Sequence, residues 1–135
     1  MIWESTISHI VRDGDKEVLK KEKYLLENCE NFAEVEHKML AIFNHYTNLD
    51  VVAIKRSKVS EIINRRNFMG DKIFEATISD VFVDENENEK NINYLMILCA
   101  DSFDAALPKI LNYINQGYNM ELVRLRKTSI EDILV

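Results

Sequence analysis

The sequence predicts an α+β fold built from an internally duplicated strand-strand-helix-strand unit, with an antiparallel sheet of six or so strands and two helices packed on one of its faces. Three observations predict it. The motif "WESTISHIVRDGD" from Trp3 returns as "FEATISDVFVDEN" from Phe74, so Glu4, Thr6, Ile7, Ser8 and Asp13 recur 71 residues on. The stretch "KYLLENC" returns as "NYLMILC", carrying Tyr24, Leu25 and Cys29 to Tyr94, Leu95 and Cys99 at a spacing of 70. Apolar residues then switch from a period of two to a helical period after each cysteine.

The elements follow in order. Trp3, Ile7 and Val11 share one face of a strand, and Phe74, Ile78 and Phe82 repeat it. The other face shows Glu4, Thr6 and Ser8, then Glu75, Thr77 and Ser79, the alternation of a half-buried antiparallel strand. Asp13-Gly14 is a strong hairpin-turn pair, and "VDENENEK" is the polar turn in the matching place. "YLLENC" and "YLMILC" are the return strands. Phe32, Val35, Met39, Ile42, Phe43 and Tyr46 then form a helical stripe, copied by Phe103, Ala106, Ile110, Tyr113 and Ile114. Asn31 with Glu34, and Ser102, supply the caps. Gly117 stands where the second helix should stop, and Pro108 should loosen its first turn or kink it. "VVAIKR" and "LVRLRK" are third strands. The tails "VSEII" and "IEDIL" read equally as a short strand or one helical turn. One domain is expected over 1–135, made of pseudo-repeats at about 1–63 and 73–135 joined by 64–72.

Composition narrows the functions. A chain of 135 residues with 47% apolar and 30% charged residues can build a core without disulfides or metals. Cys29 and Cys99 sit in apolar strands and read as reduced, buried thiols. No apolar run reaches the roughly 20 residues of a membrane span, and "MIWESTISHI" lacks the features of a signal peptide. A cytoplasmic protein is expected. The first 70 residues balance their charges, so the whole net charge of −6 belongs to the rest. That disfavours non-specific nucleic-acid binding.

A search for chemistry returns little. Three glycines cannot build a phosphate loop, and no Cys-x-x-Cys or His-Glu-x-x-His spacing occurs. His9 shares a face with Ile7 and Val11 and reads as a strand-end residue at the sheet margin. Glu4 and Glu75 could act as paired carboxylates, but their Thr and Ser neighbours favour a solvated sheet face. No catalytic residue, metal ligand or cofactor is expected. One feature stands out in this acidic chain. Lys55, Arg56 and Lys58 cluster at the end of one third strand, and Arg124, Arg126 and Lys127 stand in the same setting on the other. Two readings compete: cations that guard outer sheet edges, or a duplicated anion site.

The order of these segments, with "KEKYLLENCENFAEVE", "VVAIKRSKVSEI" and "KIFEATISDVF" in succession, resembles a family of small proteins from Bacteroidetes and their phages, the domain of unknown function DUF4494. "YLL" at 24–26 and Ile54-Lys55-Arg56 match its strand elements. The resemblance implies a fold and a phage or prophage setting rather than an activity. The leading expectation is a non-catalytic binding protein for a small anionic ligand such as a nucleotide. In a phage it would be a sponge for a host immune signal, acting in the host cytoplasm. The ligand would be held by Lys55, Arg56, Lys58, Arg124, Arg126 and Lys127. The alternative is a phage structural or protein-interaction accessory module, for which Trp3, Tyr24, Tyr94 and Tyr118 are candidate contact residues. A homo-oligomer is expected, paired through the Glu4 and Glu75 face, with Trp3 as an interface or core anchor.

Overall fold

The structure, a computed structural model, describes residues 1–65, 70–115 and 120–135. Gly117 and Tyr118, both singled out above, lie outside the described residues, as does part of the expected linker 64–72. In chain order the elements are β1 (Trp3–Asp13), β2 (Lys16–Leu26), α1 (Phe32–Ile42), β3 (Thr47–Arg56), β4 (Val59–Asn64), β5 (Lys72–Val83), β6 (Glu89–Ala100), α2 (Phe103–Ile114), β7 (Met120–Lys127) and β8 (Ile130–Leu134). The fold is α+β, and each half runs strand, strand, helix, strand, strand. Both ambiguous tails are strands.

Instead of one antiparallel sheet there are two mixed sheets of four strands, ordered β3-β1-β2-β8 and β4-β6-β5-β7. The mixture comes from the tails. β8 lies parallel to β2, and β4 lies parallel to β6. Each half therefore gives its last strand to the sheet of the other half. The two compact units follow the sheets, not the sequence repeats: unit 1 is Met1–Lys58 with Ser129–Val135, and unit 2 is Val59–Thr128.

In unit 1 the period-2 face of β1 and the stripe of α1 close one core: Trp3, Ile7, Tyr24, Leu26, Val35 and Met39 are all buried. The Trp3 indole N–H donates to the Cys29 carbonyl at 2.9 Å, so this aromatic is a core residue and not an interface anchor. Asn31 caps α1 by accepting from the Glu34 N–H at 2.9 Å, and Glu34 accepts from the Glu30 N–H at 2.8 Å. Unit 2 repeats the plan with Phe74, Ala76, Ile78, Met96, Leu98, Ala106 and Ile110. Ser102 caps α2, accepting from the Ala105 N–H at 3.2 Å. α2 runs through Pro108 to Ile114. The bond lost there would have used the carbonyl of Asp104, an exposed residue that water can satisfy. Phe32 and Phe103, expected in the helical stripes, are exposed but set edge-on to Trp3 and Phe74, with ring centroids 4.9 and 6.5 Å apart.

Both hairpins outrun their sheets. β1 pairs with β3 only as far as Ile10, and β2 meets β8 only from Lys23 onward. Likewise β5 pairs with β7 as far as Asp80, and β6 meets β4 from Leu95. Among the described residues, what remains is a two-stranded arm in each unit, roughly 11–22 and 81–94. The first arm turns at Gly14, whose φ of +65° suits a residue without a Cβ. The second turns around Asp84, whose carboxylate accepts from the N–H groups of Asn86 and Asn88, both at 2.9 Å. Among the described residues no helix is long and apolar enough to cross a membrane.

Candidate functional site

The six cations divide between the units, with Lys55, Arg56 and Lys58 in the first and Arg124, Arg126 and Lys127 in the second. Cross-strand register decides what each meets. Glu4 lies opposite Lys55, and Lys55 Nζ is 2.9 Å from its carboxylate, with Lys23 Nζ at 3.7 Å on the other side. In unit 2, Glu75 lies opposite Arg126, whose guanidinium approaches to 3.1 Å, while Arg124 stands at 3.8 Å. The same ion pair is thus built twice, and each carboxylate is bracketed by two cations. The Glu4 and Glu75 side chains are only 15% and 14% exposed, so they are not the solvated row the sequence suggested.

The remaining three cations stand apart. Arg56 lies opposite Trp3, with its guanidinium carbon 5.5 Å from the ring centroid. Lys127 occupies the matching place opposite Phe74 and is exposed. Lys58 is exposed in the connection from β3 to β4. β3 and β7 are the outer strands of their sheets. Their cations therefore occupy the positions where edge protection would need them.

A cluster that the residue-by-residue reading missed lies inside unit 1. His9 is buried, not marginal. Its Nε2 is hydrogen-bonded to Glu22, which also accepts from the Tyr24 hydroxyl at 3.0 Å. The Tyr46 ring stacks on the imidazole with centroids 4.0 Å apart. Burial, and then the bond to Glu22, push the Tyr24 hydroxyl pKa well above the usual tyrosine range. The turn at Gly14 could have revealed the cluster. It fixes the pairing Asp13–Lys16, and counting back places Glu22 opposite Ile7 on the buried face. In unit 2 the Tyr113 hydroxyl donates to Glu61 at 2.8 Å, which raises its pKa, with burial adding to the shift.

Two concavities accompany these groups. A largely apolar groove of about 670 Å³ in unit 1 is lined by Cys29, Asn31, His37, Lys38, Ile42 and Val135, among others. A smaller cleft of about 390 Å³ lies at the base of the unit 2 arm, against Val81, Phe82, Met120 and Glu121. Neither cysteine is in a disulfide, and both are buried. Among the described residues no cluster of three or more His, Cys, Asp or Glu side chains could hold a metal ion.

Fold and ion pairs describe a duplicated α+β protein with paired mixed sheets. The family described as Domain of unknown function (DUF4494) matches residues 2–135, and the chain belongs to that family. No curated protein matches the sequence.

Proposed function

We propose that the protein is a non-catalytic protein-interaction module, an accessory that works by binding other chains. The observation that carries this reading is the exposure of apolar side chains on both two-stranded arms. Val18 and Leu19 are 42% and 58% exposed on the first arm; Phe82, Val83 and Ile92 are 40%, 61% and 41% exposed on the second. Two strands standing alone in water are marginal, and apolar residues on such arms gain most from a partner surface. The test is cross-linking of the protein in its own host, followed by mass spectrometry, with wild type and the variant Leu19→Ser/Val83→Ser. Cross-links from the arms that the variant loses are the expected result. Cross-links unchanged in the variant would overturn the reading.

A second reading is favoured by one observation. Two cations around one carboxylate leave a net positive charge beside Glu4 and beside Glu75. Such a surface suits a small anionic ligand, for example a nucleotide sequestered as a signal. Calorimetry with nucleotides and cyclic dinucleotides tests it. Lys55→Ala and Arg126→Ala, each removing one cation beside Glu4 or Glu75, should each weaken binding about tenfold. No heat with wild type would end this reading and leave the first untouched. Both readings take the protein to act in the cytoplasm, that of a host cell if a phage carries the gene.

A further inference from the structure

We propose that the arm of unit 1 in one molecule pairs, edge to edge, with the arm of unit 2 in a second molecule, so that the chain associates with itself head to tail. The inference rests on the interaction reading and names its partner. Three observations converge on it.

The first is the free backbone edge. On β2, the stretch "KEVLKKE" (16–22) has β1 on one side, and on the other β8 begins only at Lys23. On β6, "EKNINY" (89–94) has β5 on one side, and β4 begins only at Leu95. Among the described residues neither stretch has a second neighbouring strand. An extended edge of this kind is a ready template for another strand.

Charge is the second. The first arm exposes Arg12, Lys16, Lys20 and Lys21 against Asp13, Asp15 and Glu17, its fourth acid, Glu22, being buried against His9 and Tyr24. On the second, Asp84, Glu85, Glu87 and Glu89 face only Lys90. Lysines on the first edge repel another first edge. The acids gathered at the turn of the second arm, from Asp84 to Glu89, repel those of another second arm. The mixed pairing sets arms of opposite net exposed charge against each other. The third observation is the apolar complement: Leu19 on one arm and Val83 on the other are the most exposed apolar residues of their hairpins. A mixed pairing uses different patches on the two molecules. It closes into a ring or continues as a chain, according to the rotation it imposes.

Sedimentation velocity over a range of protein concentrations tests the inference, using two charge-reversed variants. One is Lys20→Glu/Lys21→Glu, and the other is Glu85→Lys/Glu89→Lys. All four positions are exposed, and circular dichroism checks that each variant is folded. Wild type should gain mass with concentration at about 0.1 M salt and lose much of that gain at about 1 M, where charges are screened within ~3 Å. Each variant alone should associate at least about tenfold more weakly. An equimolar mixture of the two should associate again, because a first arm of either variant then meets a second arm of opposite charge on the other. A wild type that stays monomeric overturns self-pairing, and so do variants that associate as wild type does. Two monomeric variants that fail to associate when mixed overturn the charge pairing. Arm cross-links from a monomeric wild type to a different protein would overturn self-pairing while supporting the interaction reading. Cross-links insensitive to the arm variants would instead defeat that reading.

Discussion

Unit 1 and unit 2 share a strand order, a capped helix, an edge-on aromatic pair and a carboxylate bracketed by cations. Their interiors differ. Where unit 1 buries His9, Glu22 and Tyr24 in a hydrogen-bonded cluster, the residues of unit 2 at the same strand register are Asp80, Tyr94 and Met96, of which only the apolar Met96 is buried. The duplicated features are those on which sheet register depends. Glu4 opposite Lys55 and Glu75 opposite Arg126 favour the same alignment of first and third strands. The interior beside the arm is under no such constraint, because apolar packing and a satisfied polar cluster can both fill it.

The largest effect should come from breaking the polar cluster. Glu22→Ala leaves a buried imidazole and a buried hydroxyl without their acceptor, and should cost about 3 kcal/mol in urea unfolding. Tyr94→Ala, at the half-buried position that lies opposite Ile78 as Glu22 lies opposite Ile7, should cost less, about 1–2 kcal/mol. Equal losses would show that the two interiors are energetically alike.

An intermediate effect comes from alkaline pH. Tyr24 has a raised pKa in the folded protein, so above pH about 10 the unfolded chain gives up that proton first. The stabilisation is complete below that pH and is lost as the pH rises further. Tyr24→Phe should cost about 1–2 kcal/mol at neutral pH, yet flatten the alkaline decline. Tyr113→Phe should flatten it less, because Tyr113 is nearer the surface. Unfolding midpoints measured from pH 8 to about 11 decide this, and a larger effect from Tyr113→Phe would reverse the assignment.

The smallest effects test the shared feature. Glu4→Gln and Glu75→Gln should each cost less than about 1 kcal/mol, by similar amounts, since their cations are well exposed. High salt should shrink both losses. A large loss at one site alone would mean that the two ion pairs are not equivalent.

Much of this was legible in the sequence where the cause is local. Alternation at Trp3, Ile7 and Phe74, Ile78 marks the strands, Asp13-Gly14 marks a turn, and Asn31 and Ser102 mark helix starts. The partners of β4 and β8 were not legible. "VSEII" and "IEDIL" carry apolar residues but no tight turn that dictates a neighbour, and a parallel partner can lie anywhere in the chain. The pairing of Lys55 with Glu4 was hidden for another reason. β1 and β3 slip register between Thr6 and Ile7 and again between Ser8 and Ile10, and Asn48 turns to positive φ nearby. Counting residues across such bulges fails. The six cations were found as a group because composition alone exposes them. What each one touches depends on that register.

The exchange of last strands has a consequence for ancestry and for cutting the chain. A single half, ending at its own fourth strand, would lack the parallel neighbour of its second strand and would hold a spare strand with no sheet of its own to join. Two such halves can trade those strands and satisfy each other, as domain-swapped subunits do. Joining them end to end turns a bargain between two molecules into one inside a single chain, whose success no longer depends on concentration. A protein cut within 66–69 should therefore reassemble from its fragments as a one-to-one pair. Deleting residues 129–135 should leave the gap in the sheet of unit 1, far back along the sequence from the cut.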